Sequence, residues 1–270
     1  MSTFNESNIV SITEKLASAT ANVEKVFRSG EEQGYFEGYM NGLCAGGHID
    51  GYQAGKKEEY DAFWNMIQDH GNRTDYGQAF RNWRSRTEYL RPKYKVVPTA
   101  STSAMNTFYN CEGLKKVEAE YFDFSKKARG AYQGSGWYHT FTTCGELEEI
   151  EDIGIMPDTD LTNTFAHCPN LKKIAMIRVD VNTVISSGIF EGCKSLESVT
   201  FDGEIGYGMN LKWSTKLDWK SIANIVTHLS DSVTGKTLTL SKTAVESTGT
   251  DMQSWHEFTW MKPNWTITLA

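Results

Sequence analysis

The chain has 270 residues, of which 39% are hydrophobic, and a formal net charge of −7 from 34 acidic and 27 basic residues. This length suffices for one large domain or two small ones with a buried core, and the negative charge argues against nucleic acid and anionic membranes as partners. The first residues lack the basic and apolar regions of a secretory signal, and no apolar run is long enough to cross a bilayer. We therefore expect a chain that has no leader and does not insert into a membrane.

Residues 1–28 predict an oligomerising helix. Isoleucine at successive positions of a heptad seam favours a trimer or a higher assembly over a dimer. The alternative is an amphipathic helix that packs on the chain's own body. The seam residues follow one another at alternating spacings of three and four: Ile9, Ile12, Leu16, Ala19, Val23 and Val26.

Residues 29–56 carry glycine at nearly every fourth position. Glycine costs roughly 1 kcal/mol relative to alanine inside a helix, so this density needs a reason. Gly-x-x-x-Gly spacing lets two helix backbones approach closely and would extend the oligomer into a stalk, whereas a flexible tether is the alternative. The glycines are Gly30, Gly34, Gly38, Gly42, Gly46, Gly47, Gly51 and Gly55.

Residues 57–104 predict a helical cap on the N-terminal side of the region that follows. Tyr60, Phe63, Trp64 and Ile67 form one face of a helix, and Gly71 ends it. The open end of a repeat array would expose apolar surface, so we expect this segment to cover it.

Residues 105–206 contain four copies of the pattern Phe-x-x-Cys-x-x-Leu-x-x-(Val/Ile). Successive phenylalanines lie 33, 24 and 25 residues apart, and the last two intervals fall in the period of leucine-rich repeats. We expect Phe and Cys on a short helical turn, Leu and Val/Ile leading into one strand of a parallel solenoid, and the motif cysteines reduced in the core. The copies are Phe108/Cys111/Leu114/Val117, Phe141/Cys144/Leu147/Ile150, Phe165/Cys168/Leu171/Ile174 and Phe190/Cys193/Leu196/Val199.

The two residues before the last position of each copy alternate in charge from copy to copy. Stacked strands bring equivalent positions within about 5 Å, so opposite charges should meet along the stack. This pattern predicts a neutralised solvent face that fixes the order of the copies and binds anions poorly. The pairs are Lys115-Lys116, Glu148-Glu149, Lys172-Lys173 and Glu197-Ser198.

The first interval is about 8 residues longer than the next two, and the surplus lies in residues 121–138. Aromatic rings bury much area at little entropic cost, and this insertion combines them with glycines and a small basic cluster, which is the composition of a recognition loop. Aromatic residues that fold back over the first copy as a cap are the alternative. The candidate binding residues are Tyr121, Lys126, Lys127, Arg129, Tyr132, Trp137 and Tyr138.

Residues 207–270 lack the repeat and predict a C-terminal cap of one helix and two strands. The helix has Ile222, Ile225, Val226 and Leu229 on one face, the first strand covers residues 236–240, and the second alternates Trp265, Ile267 and Leu269. Trp213, Trp219, Trp255 and Trp260 are expected in the core or the cap. The predicted fold class is α+β: a helical stalk, a short leucine-rich-repeat solenoid of parallel strands, and a cap of a helix and strands.

The copies FAHCPNLKKIAMI (165–177) and FEGCKSLESVTF (190–201) resemble the BspA-like class of leucine-rich repeats, found in bacterial surface proteins and phage-encoded proteins. The segment AGKKEEYDAFWNMIQDHGNRTDY (54–76) resembles a segment that recurs upstream of such repeats in proteins encoded by phages and prophages of gut Firmicutes. The ending of the chain is similar to that of phage-encoded repeat proteins. The resemblance spans most of the chain and implies a tail, baseplate or other virion-surface component, without assigning a role to any residue.

The sequence offers no arrangement of residues for catalysis. The six histidines, His48, His70, His139, His167, His228 and His256, lack metal-ligand spacing and have no evident partner. Asp158, Asp160 and Asn163 lack the glycine and distal glutamate of a calcium loop, so we expect a turn or a helix cap there. We expect no catalytic residue, no metal and no cofactor.

These observations predict a non-enzymatic phage virion protein, structural or adhesive, that forms a homo-oligomer, with a trimer favoured. Its partners would be itself, other virion proteins and a host-surface glycan or protein, since several weak sites on one particle give strong attachment. A bacterial surface or secreted interaction module is the first alternative, and an enzyme acting on cell-wall glycans is the second.

Overall fold

The computed structural model describes residues 88–91, 95–98, 103–130, 135–249 and 252–270. Parallel strands in two sheets, joined by turns and accompanied by three helices within the described ranges, give a mixed α+β fold. None of the helices in these ranges has the length and apolar character needed to span a membrane.

The first sheet is formed by the ends of the four sequence copies. Its strands are β1 (Lys116–Val117), β2 (Glu149–Ile150), β3 (Lys173–Val179) and β4 (Ser198–Gly203), and they pair in that order. All pairs are parallel, and the register places Val117 beside Ile150, Ile150 beside Ile174 and Ile174 beside Val199. The predicted strand at the end of each copy and the parallel stacking of the copies are therefore confirmed.

The leucine of each copy lies just before its strand, as expected of a Leu-x-x-(Val/Ile) segment that leads into a strand. Each strand begins two residues after its leucine, as Lys173 follows Leu171. The N–H groups of the first three leucines donate to the cysteine carbonyl three residues back, at 3.2, 3.3 and 3.2 Å, so they cannot pair with a neighbouring strand. All four side chains are at most 2% exposed and therefore serve packing alone: Leu114, Leu147, Leu171 and Leu196.

The segments that carry Phe and Cys are hydrogen-bonded turns, so the expected short helical turn is wrong. Backbone N–H groups alternate between two acceptors: Thr142 and Cys144 donate three residues back along the chain, whereas Phe141 and Thr143 donate to the next copy. The backbone is left-handed two residues before the phenylalanine in the first three copies and two residues after it in all four, and a right-handed helix cannot contain such residues. The positions with positive φ are Asn106, Asn110, His139, Thr143, Asn163, His167 and Gly192.

The core between strands and turns is a ladder of rings and thiols. The rings of Phe108, Phe141, Phe165 and Phe190 stack nearly parallel, with centroids 5.1, 5.7 and 5.6 Å apart. The thiol of each later copy donates to the phenylalanine carbonyl of the copy before it, with 3.0 Å between Sγ and O for all three pairs. The expectation of reduced core cysteines is confirmed for Cys111, Cys144, Cys168 and Cys193, while Cys44 lies outside the described residues.

The second sheet contains β5 (Met209–Leu211), β6 (Lys236–Leu240) and β7 (Trp265–Leu269), and the helices are α1 (Trp219–Thr227), α2 (Lys242–Ser247) and α3 (Met252–Thr259). The expected helix and both expected strands are confirmed. The sheet is also parallel, with Leu211, Leu240 and Leu269 in register at intervals of 29 residues. Residues 207–270 thus contain a second periodic set of parallel strands, although the sequence analysis found no repeat there.

Helix α1 covers the outer edge of β4 with polar side chains. The hydroxyl of Ser221 accepts a hydrogen bond from the N–H of Val199 at 3.0 Å. The amide of Asn224 accepts from the N–H of Phe201 at 2.6 Å and donates to its carbonyl at 3.0 Å. Backbone groups that a fifth strand would have paired are satisfied by the helix, which ends the first sheet.

Several predictions concern residues that the structure does not describe. The coiled-coil seam of 1–28, the glycine-rich segment 29–56 and the helix around Phe63 all lie outside the described residues. The described part of 57–104 is extended, not helical as predicted, because its backbone pairs with the first copy. Tyr89, Val96 and Ser103 form parallel bridges to Lys116, Phe122 and Gly136.

Candidate functional site

The structure splits the candidate binding residues of 121–138 between core and surface. Trp137 is 1% exposed and packs edge-on against Phe124, with centroids 5.2 Å apart. Lys127 is also buried, where its ammonium pairs with Asp158. Both were predicted as exposed contact residues, and this placement corrects that expectation for the two of them. Trp137 therefore fits the alternative role of a cap residue, because its ring packs in the core against Phe124.

The other members of the set lie nearer to the solvent. Lys126 and Arg129 are exposed, and Arg129 forms an ion pair with Asp180 at 2.6 Å. Tyr121 packs partly against the core. Tyr132 lies outside the described residues, and Tyr138 is half-buried at the start of the second turn segment. Among the described residues of the insertion, Tyr138 is the candidate that lies on a surface shared with other aromatic residues.

That surface is built on the stacked turns, and we call it the turn-face cluster: Tyr109, Tyr138, His139, Asn163 and His167. The ring of His139 lies 4.2 Å from that of Tyr138 and 6.3 Å from that of Tyr109, measured between centroids. All members are half-buried or exposed. Three of the five, His139, Asn163 and His167, occupy left-handed positions of the turns. The turn geometry places these residues in columns across successive copies.

Hydrogen bonds fix the orientation of the imidazole in this cluster. Nδ1 of His139 lies 3.2 Å from the hydroxyl of Thr142, and Nε2 lies 3.4 Å from the amide nitrogen of Asn163. Burial lowers the pKa of His139 below its usual 6.5, and this outweighs the opposite effect of the Asp160 carboxylate; the nearby His167 also lowers it. The imidazole is therefore neutral at pH 7, where one ring nitrogen accepts and the other donates.

The cluster is suited to binding rather than to bond making. It presents aromatic rings and hydrogen-bonding groups on a backbone held by bonds between copies, such as His139 N–H to the Thr162 carbonyl at 3.1 Å. A rigid support of this kind lowers the entropic cost of binding. The sequence indicated His139 and His167 only as scattered histidines. Aligning the copies two residues before and after each phenylalanine would have revealed their columns.

The strand face offers a different surface, on which the charges neutralise one another. Lys116 lies 3.0 Å from Glu149 and 2.6 Å from Glu151, and Lys173 lies 2.9 Å from Glu149. Hydrogen bonds to Glu151 and Glu149 raise the pKa of Lys116, and a hydrogen bond from Lys173 lowers the pKa of Glu149 against the opposing effect of burial. The predicted alternation of charge along the stack is confirmed. Since each of these charges has a partner, the face has little capacity to attract a charged ligand.

The cysteine, histidine and carboxylate side chains of the described ranges nowhere form a group of three that could hold a metal ion. Asp158 and Asp160 are instead buried acceptors of backbone N–H groups, in agreement with the expected turn. Comparisons of the whole chain with protein-family models, curated proteins and solved structures found no match.

Proposed function

We propose that this chain is a non-enzymatic leucine-rich-repeat protein of a phage virion that makes contact with a host surface through the turn-face cluster. The observation that carries the proposal is the position of the cluster on the stacked turns, where rings and hydrogen-bonding groups share one half-exposed surface. Tyrosine and histidine at such positions supply a large contact area with few rotatable bonds.

Two further observations support a solenoid designed for contact. The four copies stack in register strand on strand and turn on turn, as neighbouring units of a leucine-rich repeat do. The virion assignment rests on the resemblance of the copies and of residues 54–76 to phage-encoded proteins. Oligomerisation through residues 1–28 would multiply a modest affinity at each cluster into firm attachment.

A binding assay with intact cells tests the contact surface. We expect fluorescently labelled full-length chain to bind cells of at least one strain in a panel of gut Firmicutes. The double variant Tyr109→Ala/Tyr138→Ala should weaken binding about tenfold or more, because central aromatic residues dominate the energy of such contacts. The matched control is Trp213→Ala, which removes a 40% exposed ring that follows β5. Equal loss in both variants, or none in the double variant, would contradict the assignment of the site.

The virion assignment has its own measurement. Mass spectrometry of phage particles purified from an induced, prophage-bearing strain that encodes the chain should detect it among the structural proteins. Recovery of the chain from the cell envelope, with none in the particles, would replace the virion proposal by a bacterial surface module.

A further inference from the structure

A lysine and an aspartate lie buried together beneath the insertion. The side chains of Lys127 and Asp158 are each 2% exposed, and the ammonium group of Lys127 contacts Oδ2 of Asp158. Two ions this deep in a protein carry a desolvation penalty of several kcal/mol each, which their attraction offsets only with good geometry. An arrangement that removes both charges would avoid this penalty.

The other oxygen of Asp158 is held by two backbone donors. The N–H groups of Gly130 and Thr159 both donate to Oδ1, each at 2.6 Å. The ammonium of Lys127 also donates to the carbonyl of Ala128 at 2.7 Å. Oδ1 is thus fixed by two N–H groups, whereas Oδ2 faces the amine.

The surroundings close this pair from water. A Cβ atom at Gly136 would lie 2.8 Å from Cγ of Asp158, so the backbone of Gly136 rests directly on the carboxyl group. Gly136 also has a φ of +68°, which side chains rarely adopt. Position 136 therefore requires glycine for both reasons, and the close approach leaves no space for solvent on that side.

We propose that Lys127 and Asp158 condense to an intramolecular amide, so that the folded chain carries a covalent cross-link between the segments that follow its first and second copies. The cross-link is a modification of the fold and does not depend on the proposed binding function.

The reaction needs no other reactant. The ammonium first passes a proton to Oδ2, and burial favours this transfer because both groups become neutral. Burial also lowers the pKa of Lys127, although the Asp158 carboxylate opposes the shift. Nζ then attacks Cγ, and the negative charge that develops on Oδ1 is stabilised by the N–H groups of Gly130 and Thr159. A second proton moves from Nζ to Oδ2, the bond from Cγ to Oδ2 breaks, and that oxygen leaves as water.

The product fits the hydrogen bonds that already exist. The amide oxygen keeps both backbone donors, and the remaining amide hydrogen keeps the Ala128 carbonyl. One ammonium and one carboxylate become one amide and one water, with no change of oxidation state and no buried charge left. Holding the two groups in contact is worth an effective concentration of about 10⁵ M or more for well-oriented pairs, which accelerates the condensation.

The mass of the purified, folded full-length chain tests the proposal. We expect a deficit of one water molecule relative to the sequence. Trypsin should leave Lys127 to Arg129 attached to the peptide of residues 130–172, since Lys127 no longer forms a cleavable site. The Lys127→Arg variant should show its full mass, and the exposed neighbour variant Lys126→Arg should keep the deficit. A folded wild-type chain at full mass would overturn the proposal.

Two controls keep this result specific. A succinimide at Asp202-Gly203 would also remove one water, but it would map to a peptide outside 127–172 and would hydrolyse at alkaline pH, as an amide cross-link does not. A chain recovered unfolded in denaturant should have its full mass and lose water only after refolding, because the fold assembles the pair. A deficit that maps to Asp202, or one already complete in the unfolded chain, would refute the cross-link.

Discussion

Replacing Phe165 by alanine should destabilise the first sheet more than any change at the surface. The ring is fully buried and stacks on Phe141 and Phe190, with centroids 5.7 and 5.6 Å away. Loss of its transfer free energy costs about 2 kcal/mol, and each lost ring contact adds about 0.5–1.5 kcal/mol. The sum agrees with the 3–5 kcal/mol that is typical of Phe→Ala in a close-packed core.

Thermal unfolding followed by circular dichroism measures this effect. For a chain of this size 1 kcal/mol shifts Tm by about 2–4 °C, so a cost of about 3–5 kcal/mol should lower the Tm of Phe165→Ala by roughly 6–20 °C. The control Trp260→Ala removes a larger ring that is 75% exposed, and it should change the free energy of unfolding by no more than about 0.5 kcal/mol.

Phe165→Leu adds a second comparison. It keeps most of the buried volume and loses only the stacking, so its cost should fall between those of Phe165→Ala and Trp260→Ala. A cost below about 1.5 kcal/mol for Phe165→Ala, or equal costs for the two Phe165 variants and the control, would refute the view that the ring ladder forms the core.

Three further predictions follow from the charges and thiols. Ellman's reagent should react with none of the four buried cysteines Cys111, Cys144, Cys168 and Cys193 in the folded chain and with all four in denaturant. Their side chains are closed from solvent, and burial raises the pKa of Cys144, Cys168 and Cys193 well above the usual value. Glu149→Lys should cost about 1 kcal/mol in urea unfolding at low salt and less at high salt, because it places like charges beside Lys116 and Lys173. The free energy of unfolding should fall as the pH drops below the usual histidine pKa of 6.5, because the folded chain binds a proton at His139 less tightly than the unfolded chain does. His139→Gln should reduce this decline. Identical pH profiles for the variant and the wild-type chain would contradict the prediction.

The repeat spacing predicted the strands of the first sheet because one physical requirement fixes them. A residue such as Ile174 must be apolar and must recur, since it is covered only by its equivalents in neighbouring copies. The contacts of Glu149 with lysines were predictable for the same reason, because the strand register places it beside the equivalent residues Lys116 and Lys173 of the neighbouring copies. Periodic structural features can thus be predicted from a sequence when the repeat is short and occurs several times.

The residue at which each turn ends and its strand begins was harder to predict from the sequence than the repeat period. Leu171 and Ile174 are both apolar and both fully buried, yet only Ile174 belongs to a strand. The difference lies in the backbone, where the N–H of Leu171 is already bonded to the Cys168 carbonyl. Burial alone therefore indicates which residues face the core, but not which of them pair with a neighbouring strand.

Strand β5 and the parallel periodicity of the second sheet were not predicted, because few residues carry that period. Leu211, Leu240 and Leu269 recur every 29 residues, but helices and turns of different composition separate them. The hydrogen bonds from helix α1 to the edge of β4 were not predicted for another reason. Ser221 and Asn224 read as polar interruptions of an apolar helix face, and only the backbone of β4 explains them.

The insertion shows how composition alone misleads about exposure. Aromatic and basic residues suit a recognition loop, yet Trp137 and Lys127 are interior because one fills volume and the other meets Asp158, 31 positions away. No local sequence pattern predicts an ion-pair partner that lies so far along the chain.

The turn geometry explains why the candidate site arises beside this insertion. Left-handed backbone is tolerated by glycine, asparagine and histidine more readily than by most other residues, and one of these three occupies each of the left-handed turn positions named above except Thr143. Register then aligns the selected side chains, which places His139 against Asn163 and leaves Gly192 packed close to His167. The requirement that makes the turns possible also assembles the polar members of the turn-face cluster. Tyr109 and Tyr138, which occupy positions free of this backbone constraint, are where a change of ligand could be accommodated without loss of the fold.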